Sequence, residues 1–103
     1  LHSNETWQTD VTHHAPFGRL RYIHVSIDTF SGPICASAHA GEKGRDVRRH
    51  WTCCFATLGI PKLIKTDNGP GYISQSTSLF LQQWGIEHVT GIPHNPTGQA
   101  IIE

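Results

Sequence analysis

The sequence has no methionine, few cysteines and no excess of charge of either sign. Eight Lys and Arg balance eight Asp and Glu, so the formal net charge is zero. That excludes a free-standing polycationic nucleic-acid binder, while leaving room for contact through a local patch or a bound metal. The missing methionine fits a piece excised from a longer chain. Cys35, Cys53 and Cys54 are an odd count with no Cys-x-x-Cys spacing, and adjacent Cys53 and Cys54 are poorly placed to bridge each other. A disulfide framework is not expected; a reducing intracellular compartment is. No apolar run approaches the roughly 18 residues of a membrane span, so no membrane partner is expected. The first residues show no signal-peptide pattern, and no repeat or low-complexity tract occurs.

What is present suffices for one small domain. The 103 residues are 37% hydrophobic and 16% charged, which supports a modest core and argues against disorder. Eight histidines are the compositional excess.

The pattern along the chain changes period once. Residues 1–6 are polar and expected to be loose. Trp7 to Thr12 reads as a strand with Trp7, Thr9 and Val11 on one side. A turn at His14-Ala15-Pro16-Phe17-Gly18 leads into Arg21 to Thr29. There Tyr22, His24, Ser26 and Asp28 alternate with Ile23, Val25 and Ile27, the period of a half-buried strand. Ser31-Gly32-Pro33 turns into a strand over Ile34 to Ala38, completing an antiparallel meander. From Arg45 to Leu58 the apolar residues Val47, Trp51, Cys54, Phe55 and Leu58 share one helical face, and Gly59 with Pro61 stops the helix. Leu63 to Thr66 is a short strand ending at Asp67. Asn68-Gly69-Pro70-Gly71 reads as a glycine-rich loop. Ser76 or Ser78 caps a helix carrying Leu79, Phe80, Leu81 and Trp84, stopped by Gly85. Ile86 to Thr90 is a strand, Gly91 to Gly98 a mobile loop, and Gln99 to Glu103 the first turn of another helix. This order predicts an α/β fold: a mixed sheet, with an antiparallel meander joined to crossover-connected parallel strands.

Three of the carboxylates suggest chemistry. Asp10 lies in the first strand, Asp67 ends a buried-type strand before the glycine-rich segment, and Glu103 opens a helix after a flexible loop. Open α/β sheets place ligand sites at the carboxyl ends of strands. A cluster of carboxylates is mutually repulsive without a cation. It suits magnesium or manganese, which keep waters and take substrate phosphates as further ligands. Two such ions about 3.5–4 Å apart can stabilise both oxygens of a phosphodiester displacement. Each residue alone reads more simply as a cap or a surface carboxylate.

Taken together, WQTDVTHH, KTDNGPGY and TGIPHNPTGQAIIE resemble the catalytic core of retroviral integrases, most closely those of betaretroviruses and related endogenous retroviruses. The 35 residues between Asp67 and Glu103 match the spacing of the integrase triad. The resemblance runs over residues 7–103, which would be a catalytic core ending at the start of its catalytic helix, after a flexible segment at 1–6. It implies the ribonuclease H-like fold, five mixed strands with helices on both faces. It also implies a two-metal polynucleotidyl transferase using magnesium or manganese. Asp10 would serve both ions, Asp67 one and Glu103 the other. The implied reactions are trimming of viral DNA 3′ ends and attack of the new 3′-hydroxyl on host target DNA. Both are phosphoryl transfers that need no covalent protein nucleophile.

Further positions follow from the same resemblance. Asn68, His94, Asn95 and Gln99 would engage DNA, with His94 standing where many relatives have tyrosine. Thr12 and His13 would lie near the metals without ligating them. The partners implied are viral DNA ends, host DNA and further copies of the protein. The setting implied is the virion and infected-cell cytoplasm, then the nucleus within the preintegration complex.

Other signals read more plainly. His13, His14 and His24 lack a zinc-ligand spacing, so no zinc is expected here, and the histidines are expected at partial surfaces or interfaces. Lys43, Arg45, Arg48 and Arg49 read as a solvated helix face rather than a DNA contact. The family's dimer interface uses the same helix, which would place Trp51 partly there. Cys53 and Cys54 read as packing residues. Two alternatives remain at this point. One is another enzyme of the fold, a ribonuclease H or a DDE transposase. The other is an inert core fragment or endogenous remnant acting only in dimerisation or host-factor binding.

Overall fold

The computed structural model describes residues 4–13 and 19–91. Five strands form one mixed sheet: β1 (Thr6–His13), β2 (Tyr22–Asp28), β3 (Ile34–His39), β4 (Leu63–Lys65) and β5 (Glu87–Val89). Their spatial order is β3-β2-β1-β4-β5. β1, β2 and β3 pair antiparallel, while β4 runs parallel to β1 and β5 parallel to β4. Three helices connect the later strands: α1 (Gly44–Leu58), α2 (Pro70–Ile73) and α3 (Gln75–Gln83).

The helical face expected on α1 is the one that packs. Val47, Trp51, Cys54 and Phe55 join Trp7, Ile64, Tyr72, Leu81 and Ile86 in a single core. Gly59 ends α1 at φ 98°, and its N–H bonds the Phe55 carbonyl. Trp51 is fully buried and its indole N–H donates to Thr9 at 3.0 Å, so it belongs to the core and not to an interface. Cys54 is buried as expected, but Cys53 faces outward and packs against nothing in the core. The side-chain contacts from α1 to the sheet, Phe55 to Trp7, His50 to Ser26 and Trp51 to Thr9, all fall on one sheet face.

The alternation in β2 is present with an unexpected polarity. His24, Ser26 and Asp28 are buried, while Ile27 is exposed. The reason lies in partners drawn from other elements. His50 on α1 joins Ser26 at 2.9 Å and Ser37 at 2.7 Å, and Ser37 joins His39 at 2.7 Å. Ser26 also bonds Thr9 at 2.7 Å. A buried polar group with partners costs little, whereas one without them costs several kcal/mol, about 1–3 in mutational series. Two of the histidines expected at surfaces, His24 and His50, are thus fully buried.

Three local readings are corrected. Asn4 to Thr6 are tied down rather than loose. Asn4 receives the Trp7 indole N–H, donates to the Leu58 carbonyl and gives its backbone N–H to Asp28, and Thr6 already belongs to β1. The loop expected at 68–71 turns helical at Pro70, where a proline without an N–H costs nothing at a helix start. Ser74 caps α3, its hydroxyl accepting from the Thr77 N–H at 3.3 Å, in place of Ser76 or Ser78. The turn at 14–18, the loop beyond Gly91 and the helix at 99–103 lie outside the described residues.

Candidate active site

In the parallel pair of β1 and β4, Gln8 lies opposite Lys65. Side chains alternate along a strand, and partners across a pair share a face. Asp10 is two residues past Gln8, and Asp67 two past Lys65. The register therefore carries both carboxylates to the same edge of neighbouring strands. One cavity of about 550 Å³ receives both. Its remaining walls are Val11 and Tyr22, the strap Ala40–Gly44 between β3 and α1, and Gly69–Tyr72 entering α2.

Each wall is fixed by local chemistry. Thr66, buried one residue before Asp67, gives its N–H to the Val89 carbonyl at 3.0 Å and its hydroxyl to the Asp67 carbonyl at 2.9 Å. The ring of His88 bonds the same hydroxyl at 2.8 Å, and burial holds this imidazole below the usual histidine pKa. The Asp67 carboxylate accepts the Gly69 N–H at 2.8 Å, and that of Asp10 accepts the Val11 N–H at 3.2 Å. The strap is held from inside the core, because the Gly41 carbonyl accepts from His24 Nε2 at 2.9 Å. Asp46 accepts the Lys43 N–H at 3.2 Å, and a Cβ on Gly41 would stand 2.8 Å from the same carboxylate. Gly71 packs directly on the strap: any Cβ there would collide with the Glu42 carbonyl.

Tyr72 closes the floor of the cavity. Its ring lies 6.1 Å from that of Trp51, and only 4% of the residue is exposed. Its buried hydroxyl has no hydrogen-bond partner among the described residues. Burial pushes the phenol well above its ordinary pKa, and the negative charges of Asp10, Asp67 and Glu42 push it further the same way.

The donor set fits a hard divalent cation. Two carboxylates share a cavity roomy enough for water, and magnesium is commonly held by one or two carboxylates while keeping several waters. Among the described residues no group of three His, Cys, Asp or Glu side chains forms a complete metal cluster. Glu103, expected as the third ligand, lies outside the described residues, as do His94, Asn95 and Gln99.

The remaining expected residues are placed as follows. Asn68 is exposed, with its amide over Gly91, where a Cβ would meet Nδ2 at 3.2 Å. Thr12 and His13 extend β1 beyond Asp10 and are exposed. The His13 ring lies 4.9 Å from that of Tyr22. Arg48 donates to Ser76 at 2.8 Å, and Arg45 and Arg49 face outward. Sequence reasoning passed over Tyr72, although it stands five residues after Asp67 behind a helix-starting proline. It also passed over the strap, whose Gly41-Glu42-Lys43-Gly44 carries no motif.

Comparison with known proteins bears on the family and the fold. Residues 1–96 match the integrase core domain family. The whole chain is 56% identical to part of the Gag-Pro-Pol polyprotein of sheep pulmonary adenomatosis virus, spanning 6% of that relative's length. The fold matches a chain of the simian T-cell lymphotropic virus intasome in complex with the PP2A regulatory subunit B56 gamma. There the TM-score is 0.85 and the identity 37%, over 96% of this chain and 36% of that one. It also matches the HTLV-2 integrase catalytic core domain in complex with magnesium in its trimeric form. That TM-score is 0.82 and the identity 35%, over 87% of this chain and 61% of that one. The five-stranded mixed sheet is the ribonuclease H-like architecture of these cores. The chain belongs to the integrase core domain family of retroviral Pol polyproteins.

Proposed function

We propose that this chain forms the catalytic core of an integrase that trims viral DNA 3′ ends and joins them to host DNA. The observation that carries the reading is the convergence of Asp10 and Asp67 on one cavity at the carboxyl edge of β1 and β4. Asp10 and Asp67, with Glu103 from the following segment, are the residues that would hold magnesium or manganese. When bound, such ions stabilise the attacking and leaving oxygens of an in-line phosphoryl displacement.

The protein's own part is positioning. The β1–β4 register fixes the two carboxylates relative to each other, and Thr66 with His88 anchors the backbone at Asp67. Asn68, lying over Gly91, orients the start of the segment that carries His94, Asn95 and Gln99 toward a DNA end. Thr12 and His13 flank the site beyond Asp10. Self-association and action within the preintegration complex, in cytoplasm and then nucleus, complete the proposal. The intasome and the trimeric core among the similar structures support both.

The test is manganese-dependent strand transfer by the integrase that carries this chain and continues past Glu103. Asp67→Asn should abolish it with the fold intact. Wild-type activity in that variant would overturn the reading.

A further inference from the structure

We infer that the Tyr72 hydroxyl is a positioning group for the metal site, donating a hydrogen bond to the hydration shell of a divalent cation between Asp10 and Asp67. The inference rests on the metal role proposed for those two carboxylates. It is carried by an imbalance in the cavity. Tyr72 is 4% exposed, and its hydroxyl is buried without a partner among the described residues. An unsatisfied buried hydroxyl costs about 1–3 kcal/mol, so it calls for a reason.

The ring has no freedom to seek a partner elsewhere. Trp51 packs along it, α2 begins rigidly at Pro70, and Gly71 abuts the Glu42 backbone. Packing alone would be met equally well by phenylalanine. The oxygen adds only a donor, on a residue that lines the cavity together with Asp10, Asp67 and Glu42. A phenol keeps its proton at neutral pH, so it can donate a hydrogen bond. Magnesium retains several waters in sites built from few carboxylates, and their oxygens are the acceptors this donor lacks. Groups outside the ligand sphere commonly change metal affinity when removed, by about tenfold or more.

The experiment uses Tyr72→Phe and Asp67→Asn in the integrase that carries this chain. Metal binding is read by thermal unfolding across a magnesium chloride titration and by electron paramagnetic resonance of free manganese. Without metal, Tyr72→Phe should melt at the wild-type temperature or higher, since the orphaned hydroxyl is gone. Its half-saturating metal concentration should rise roughly tenfold. Asp67→Asn should lose the metal-induced shift. Wild-type metal affinity in Tyr72→Phe, with binding lost in Asp67→Asn, would overturn the role of Tyr72 alone. A lower melting temperature of metal-free Tyr72→Phe would overturn it too, by showing a partner in the empty site. Metal binding undisturbed in Asp67→Asn would overturn the carboxylate reading, and this inference with it.

Discussion

Two polar clusters share one small core, and they are finished differently. Around His50 the hydrogen bonds close on one another. Around Asp10 and Asp67 a buried donor is left open. In the closed cluster the directions can be followed atom by atom. Trp51 can only donate, so Thr9 accepts from it and passes its own proton to Ser26. Ser26 donates to His50 Nε2, His50 Nδ1–H donates to Ser37, and Ser37 donates to His39. From Trp51 through Ser37 each member gives once, provided that His50 is neutral. Its pKa agrees: burial, then the neighbouring His24 and His39, lower it to about 3. His24, beside them, is left incomplete: its Nε2–H serves Gly41, and its buried Nδ1 has no partner among the described residues. Polar residues that complete each other act as structure, and polar residues that leave a donor facing a cavity are those to examine for chemistry.

Substitutions can break this contrast. The largest effect is expected at Asp10→Asn. Strand transfer should fall by about 10³-fold or more, a loss typical of removing electrostatic stabilisation from a transition state. The fold should persist, because asparagine keeps an oxygen for the Val11 N–H. A lowered melting temperature would show that Asp10 belongs to the closed type. His50→Ala should do the opposite, costing about 3 kcal/mol in denaturant unfolding and leaving metal affinity as it was.

Acid should act on the closed cluster as well. With a folded pKa of about 3 and an ordinary value of 6.5, the unfolded chain binds the extra proton first as pH falls. The His50 contribution is therefore complete above pH 6.5 and is lost progressively down to about pH 3. The slope approaches about 1.4 kcal/mol per pH unit. His39 is shifted the same way by burial and by His24, against the pull of Asp46 and with a further push from Arg49. A flat unfolding free energy between pH 6.5 and 4 would contradict a neutral, proton-ordered network. The smallest effect is expected at Ser37→Ala, about 1 kcal/mol, because Ser37 is half-buried and water can replace its hydroxyl.

The two clusters were not equally legible in the sequence. Asp10 and Asp67 could be found because strand ends and glycine-rich segments are local signals, and strand register then does the rest. The polar interior could not. Alternation at 21–29 marks a strand, yet it does not say that His24 and Ser26 go inward. That choice depends on His50 and Ser37, which arrive from α1 and β3. Helix α1 was legible through its whole length because its apolar face repeats four times. Helix α2 was hidden by Gly69, Pro70 and Gly71, a composition shared with turns. Tyr72 was hidden for another reason: its importance lies in a missing bond, and no sequence pattern encodes one.

The contact of Gly71 with the Glu42 backbone has a consequence for how such a site can vary. Main chain meets main chain there, so the gauge of the cavity is set by a position with no side chain. A single methyl group at residue 71 would force the two walls apart, so the spacing of α2 from the strap depends on the absence of a side chain there.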